Sequence, residues 1–194
     1  MVVSLEQDCE RVFLTEEERI ENFDCGNEDL NDFFNREAIL YQRQMLAETV
    51  FFRHKSSGAV VGAFSYSASS IKMADLPSAR GAKVKKLVPR EKMLKAYPGH
   101  LIGRLGVAKQ FSGQGVGAQL MEFIIDFTII HYPHHVRYLL VDAYNEPAVI
   151  SFYQKNDFTT VFSTEEQEKE TYELQPSDVL RTRYMFFDMM KWRD

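Results

Sequence analysis

Between Gly106 and Leu120 the chain reads Gly-Val-Ala-Lys-Gln-Phe-Ser-Gly-Gln-Gly-Val-Gly-Ala-Gln-Leu, an apolar strand that passes through three alternate glycines into an apolar helical pattern. Glycines let a backbone turn without a Cβ in the way and leave its amides free. A helix N-terminus adds orphan N–H groups and about half a positive charge. Such a turn is a cradle for an anion, a diphosphate above all, and its bland reading is an ordinary strand-to-helix connection.

The flanking sequence weighs between the two. Residues 100–107 (HLIGRLGV) read as a mostly buried strand. After the glycines, Val116, Leu120, Ile124, Phe127 and Ile130 follow helical spacing, with Glu122 and Asp126 off that face and an end near Tyr132-Pro133. Residues 136–141 (VRYLLV) are a second β-rich run. Strand, glycine turn, helix and strand in that order predict a parallel pair joined by a right-handed crossover.

On these residues the chain resembles the GNAT superfamily of acetyl-CoA-dependent N-acetyltransferases. Their signature is a strand valine followed, five positions on, by a Gln/Arg-x-x-Gly-x-Gly/Ala loop opening a helix. Val107 to Gly117 fits that spacing, with Ser112 at the Gln/Arg position and Gly115 and Gly117 at the two small positions. Serine there departs from the pattern by losing a long donor. The register that starts at Gln110 restores the letters but moves strand and helix by two residues. The resemblance implies acetyl-CoA as cosubstrate, with Ser112, Gly113, Gln114, Gly115, Val116, Gly117 and Ala118 around its diphosphate. It also implies a mixed α/β fold: a mostly antiparallel sheet with one splayed parallel strand pair, flanked by helices.

The second half of the signature lies at residues 142–158, where Asn145, Ala148, Phe152-Tyr153, Lys155 and Phe158 stand in the family's positions. Asn145 is placed as an N-cap, with Pro147 early in the following helix. Asp157 replaces the usual glycine at a left-handed helix exit. Tyr153 reads alone as a core aromatic; the resemblance makes it the general acid that protonates the departing CoA thiolate. Asn145 is a cap, or a cap that also meets the pantetheine arm. By the same resemblance the main chain at Leu105 and Val107 pairs with that arm, and one amide polarises the acetyl carbonyl. His54, His100 and Asp142 are the candidate bases, none of them assigned.

The other residues describe one compact domain, 1–194. The 194 residues are 45% apolar, enough for a sizeable core, and no Pro/Gly/Ser linker divides them. Neither Cys9 nor Cys25 sits in the acyl-CoA signature, so no acyl-enzyme is implied and acetyl moves directly from donor to amine. The N-terminal residues are charged and no apolar run reaches 18 residues, so a cytoplasmic protein without a membrane partner is expected. A short first strand is predicted at 11–14, one or two helices at 28–45, a hairpin of 49–54 and 60–67 about a turn at 55–58, and late strands at 159–162 and 182–187. The acidic run 163–178 reads as a solvated loop or hairpin.

A narrower resemblance, carried by Phe23-Asp24-Cys25-Gly26-Asn27-Glu28-Asp29-Leu30 and by Gly103-Arg104-Leu105-x-Val107, is to the GNAT toxins of bacterial toxin–antitoxin pairs. It implies charged tRNA as acceptor and an antitoxin partner. Residues 80–95 hold seven Lys/Arg and one Glu, a local surplus that suits phosphates, whereas the whole chain carries a formal charge of −5. The sequence therefore leads to an N-acetyltransferase acting on a primary amine of a small molecule or of charged tRNA, with a homodimer among the assemblies open to it. The alternative is a non-catalytic acetyl-CoA-binding module, which Ser112 favours and the retained Tyr153 and Asn145 oppose.

Overall fold

The computed structural model describes residues 2–78, 81, 94–132 and 135–192. The expected basic run at 80–95 falls almost wholly outside them. Seven strands, β1 Cys9–Phe13, β2 Glu48–His54, β3 Val60–Lys72, β4 Ala96–Val107, β5 Tyr138–Tyr144, β6 Thr159–Thr160 and β7 Thr182–Asp188, form one sheet in the order β1-β2-β3-β4-β5-β7-β6. The β4–β5 ladder is parallel, Gly99, His100 and Leu101 lying opposite Tyr138, Leu139 and Leu140. The β1–β2, β2–β3, β5–β7 and β6–β7 ladders are antiparallel. This is the mixed sheet with one parallel pair that the sequence predicted. The described helices are α1 Leu5–Asp8, α2 Glu28–Asp32, α3 Ala38–Arg43, α4 Val116–His131, α5 Pro147–Lys155 and α6 Glu165–Thr171, and a π-helical turn at Phe33–Glu37 joins α2 to α3.

The chain divides into two compact units, Met1–Ser67 with Ile102–His131, and Ala68–Leu101 with Tyr132–Asp194. In the first, β2 is buried on both faces and so reads as a continuous apolar run, Val50, Phe51 and Phe52 all being 4% exposed or less. Alternation sends Phe51 into a cluster with Phe23, Phe33, Phe34, Ala38 and Ile39, while Phe52 meets Phe123 of α4 edge-on at 5.0 Å. The helix comes so close to β3 that a Cβ on Gly62 would stand 2.7 Å from Leu120 Cδ1, which is why that strand position has no side chain. The α4 stripe of Val116, Leu120, Ile124 and Phe127 is buried as its spacing predicts. Ile130, expected on the same stripe, is 71% exposed: it sits one residue before the helix end, beyond the core.

In the second unit β5 buries Tyr138, Leu139, Leu140 and Val141, and Tyr138 and Leu140 pack with Ile71 and Tyr97. The acidic run is not a loop or hairpin. It holds α6, whose cap is Thr164, its hydroxyl accepting from Gln167 N–H while Gln167 Oε1 accepts from Ser163 N–H. Glu168, on the inner side of α6, is fully buried. One of its oxygens accepts from Tyr184 N–H at 2.6 Å, and the other accepts from Arg183 Nε at 2.6 Å. Smaller differences concern strand limits: β3 runs on to Lys72, β4 starts at Ala96, β5 starts at Tyr138, and β6 keeps only two residues. The Ser-Ala-Ser-Ser stretch at 67–70 hid the length of β3, because a ladder can continue through small polar residues with no apolar alternation to mark it.

Candidate active site

In the first unit, β4 ends at Val107 and a 3₁₀ turn, Lys109–Phe111, leads into the glycines. That turn uses the amides of Phe111 and Ser112, which donate to Ala108 O and Lys109 O. Gly113 and Gly115 then take φ of 73° and 80°, the left-handed region where a side chain is strained. Gly117 lies inside the first turn of α4 instead. The first bond within the helix is donated by Gln119 N–H to Gly115 O at 3.2 Å. The amides of Val116, Gly117 and Ala118 are therefore the orphan donors of a 16-residue helix. A Cβ on Gly113 or Gly115 would meet nothing within 4 Å, so both glycines border open space. A diphosphate fits a bare, amide-rich helix start of this kind. Ser112 and Ala118 are exposed beside it.

Two glutamines brace the turn, and the sequence had given neither that role. Gln114 Nε2 donates to Gln110 O at 3.1 Å, folding the side chain back across its own loop. Gln119 clasps the N-terminal segment to the first turn of α4: its Oε1 accepts from Leu5 N–H at 2.8 Å and its Nε2 donates to Val3 O at 2.9 Å. No spacing rule reaches across such a sequence separation. Leu105 and Val107 are half-buried on β4. Arg104 between them and Gly103 lays its guanidinium 5.0 Å from the centre of the Phe33 ring.

The segment Phe23 to Leu30 is a capped loop. Asp24 Oδ1 accepts from Gly26 N–H and from Asn31 Nδ2, both at 2.9 Å, and Asn27 Oδ1 caps α2 by accepting from Leu30 N–H. Asp24 Oδ2 pairs with Lys109 Nζ at 2.9 Å, which ties this loop to the end of β4. The Lys109 contact, ahead of the Gly26 and Asn31 bonds, holds the Asp24 carboxyl down at about 2. An open groove of about 520 Å³ lies here, lined by Phe23, Asp24, Gly58, Val60, Lys109 and Gln110 among others.

In the second unit β5 ends at Tyr144 and α5 starts at Pro147, the proline standing at the first helical position as expected. The cap position belongs to Glu146, whose side chain makes no cap bond, so Asn145 is not the N-cap. The Asn145 main chain continues the β5–β7 ladder, its N–H donating to Arg181 O at 2.9 Å. Its side-chain amide donates to Glu165 Oε1 at 3.0 Å and to Leu180 O at 3.1 Å.

Tyr153 is 6% exposed, its ring 5.1 Å from Phe152 and 5.4 Å from Phe158. Burial pushes its phenol well above the ordinary tyrosine value, so the group stays protonated. The helix end fixes its place. Phe158 N–H donates to Tyr153 O and Asp157 N–H to Gln154 O, at 3.0 and 3.1 Å, with Asp157 at φ 64°. These two bonds and the Tyr153–Phe158 contact make a Schellman ending, so the left-handed exit expected at Asp157 is present.

Of the three candidate bases, one lies in the first unit and two in the second. His54 is in the first unit, stacked 6.1 Å from Phe111 with its Nδ1 3.1 Å from Ser56 Oγ. His100 is half-buried on β4 against Tyr132 at 4.6 Å, and burial lowers its pKa, which favours the neutral ring. Asp142 is on β5 opposite Tyr184 of β7. Among the described residues no group of His, Cys, Asp and Glu is arranged to hold a metal, and no helix is long and apolar enough to cross a membrane.

Comparison with known proteins agrees with the fold. The whole-chain fold is similar to that of AtaT complexed with acetyl-methionyl-tRNAfMet, at TM-score 0.68 and 21% identity, over 96% of this chain and 98% of that one. It is similar to a Tyr-to-Phe mutant of KacT, at TM-score 0.69 and 17% identity, over 96% and 98%. AtaTR bound with AcCoA aligns at TM-score 0.66 and 22% identity over 96% of each chain. Those likenesses concern the fold. Residues 85–160, which include the glycine turn, α4, β5 and α5, match the family model described as Acetyltransferase (GNAT) domain.

Proposed function

We propose that this chain is an acetyl-CoA-dependent N-acetyltransferase whose acceptor is the amino group of an aminoacyl-tRNA. The observation that carries the donor half is the pair of left-handed glycines, Gly113 and Gly115, bordering open space before the orphan amides of α4. Acetyl-CoA supplies, when bound, an acetyl group activated as a thioester and a thiol as leaving group. On this reading the main chain from Gly113 to Ala118 holds the diphosphate, with the Gln114–Gln110 bond keeping the loop in shape. Main-chain groups of Leu105 and Val107 and the side chain of Asn145 meet the pantetheine arm, and an amide of β4 polarises the acetyl carbonyl. Tyr153 keeps a proton available to the departing sulfur. A thiol of pKa about 8.5 leaves readily, so this help is moderate rather than indispensable. The amine loses its proton to water or to one of His54, His100 and Asp142.

Support for the acceptor is the full-length likeness to AtaT, a protein seen complexed with acetyl-methionyl-tRNAfMet, together with the basic run at 80–95. An antitoxin partner is proposed on the same ground, since AtaT has been seen with the C-terminus of the antitoxin AtaR. The formal charge of −5 favours a second reading, a small amine as acceptor, because RNA-binding surfaces are generally basic. An acceptor screen decides. The purified chain with acetyl-CoA is offered charged tRNA, the same tRNA deacylated, polyamines and free amino acids, and acetylated products are read by mass spectrometry. Product from charged tRNA alone supports the proposal. Product from polyamines or amino acids, with none from charged tRNA, establishes the second reading instead.

A further inference from the structure

We infer that Glu165 is a positioning residue for the acyl-donor site, fixing which face Asn145 shows to its ligand. Asn145 stands at the turn between β5 and α5, and its side-chain amide touches two groups that can only accept: Glu165 Oε1 at 3.0 Å and Leu180 O at 3.1 Å. Both neighbours being acceptors, the nitrogen and not the oxygen of the amide has to stand between them. Its two N–H bonds are thereby consumed, and Oδ1 accepts from none of the described residues. A ligand at Asn145 consequently meets a carbonyl oxygen alone and must bring a donor.

That requirement selects a chemistry. The pantetheine arm of CoA carries two amide N–H groups, whereas the diphosphate and phosphate groups of its nucleotide end are acceptors. Asn145 set in this way can accept from the arm and offers nothing to those phosphate groups. Glu165 is the first residue of α6, capped by Thr164, and α6 is anchored through the buried Glu168 to Arg183 and to the main chain of β7. The segment that sequence reading gave to solvent thus carries the acceptor that orients a ligand-facing amide. Without the Glu165 carboxylate one N–H would lose its partner, and the amide could turn over and present a donor where an acceptor is needed.

The inference rests on the acetyl-CoA reading above, and a paired titration separates the two. Calorimetry is run with acetyl-CoA and with adenosine 3′-phosphate 5′-diphosphate, which keeps the nucleotide end and lacks the pantetheine arm. Glu165→Ala is expected to weaken acetyl-CoA binding about tenfold and to leave the nucleotide within about twofold, a split that general damage to the fold would not produce. Glu165→Gln, which retains an acceptor oxygen, is expected to return acetyl-CoA binding to within about threefold of the parent. Unchanged acetyl-CoA affinity in Glu165→Ala, or equal loss for both ligands, overturns the positioning role while leaving the enzyme reading in place. Failure of the parent chain to bind acetyl-CoA overturns the enzyme reading and this inference with it.

Discussion

Tyr153 and the glycines do opposite things with the same resource, the solvent around a polar group. Tyr153 is walled by Phe152 and Phe158, so its phenol has lost water and holds its proton. Gly113 and Gly115 have no wall at all, so the amides beside them stay available to an anion. Replacing Tyr153 with Phe removes one hydroxyl and keeps the ring contacts. The expected result is acetyl-CoA affinity within about twofold of the parent and kcat lower by about 10- to 1000-fold, read by steady-state kinetics beside calorimetry. The parent rate in that variant would make Tyr153 a packing residue. Ser112, exposed at the mouth of the turn, is the other informative position. Ser112→Arg restores a long cationic donor and should tighten CoA binding by at most about 1–3 kcal/mol without changing the acceptor preferred; weaker binding would favour the register that begins at Gln110.

Among the elements, α5 and α6 show what sequence reading reaches and where it stops. The strand, glycine turn, helix and strand were legible because period and turn residues change abruptly there, and the Schellman exit was legible because only a left-handed position explains an Asp where Gly is usual. Asp157→Gly relieves that position and should stabilise the fold by about 0.5–1 kcal/mol, seen as a higher urea midpoint at unchanged slope. Helix α6 was missed. Its run of glutamates reads as solvated when charge is summed, yet one of them, Glu168, is fully buried, and the Thr164-x-x-Gln167 cap was the signal that would have marked the helix. The capping role given to Asn145 failed for a related reason: a side chain suited to capping took partners contributed by Glu165 and Leu180, far along the chain. Arg183→Met strands the Glu168 carboxylate in the interior and should cost about 3–5 kcal/mol in denaturant unfolding. Adding Glu168→Gln should recover part of that loss, because a neutral amide still accepts from Tyr184 N–H.

For the whole molecule, the sheet order and its single described parallel ladder place the glycine turn at the end of one parallel strand and the Asn145–Tyr153 segment after the other. Acceptor choice was not legible at this scale, since net charge and a local basic run point in different directions. The donor assignment, on which the rest depends, comes down to one backbone turn. Its direct measurement is calorimetric titration of acetyl-CoA into the parent chain, Gly115→Glu and Gly58→Glu. The last is a control for strain: Gly58, in the β2–β3 turn, has φ 71° and equally open surroundings, so a glutamate there meets the same backbone cost without facing the proposed diphosphate. Binding by the parent and by Gly58→Glu, with none by Gly115→Glu, is the result predicted. Unchanged affinity in Gly115→Glu would contradict the cradle and the acetyl-CoA chemistry built on it.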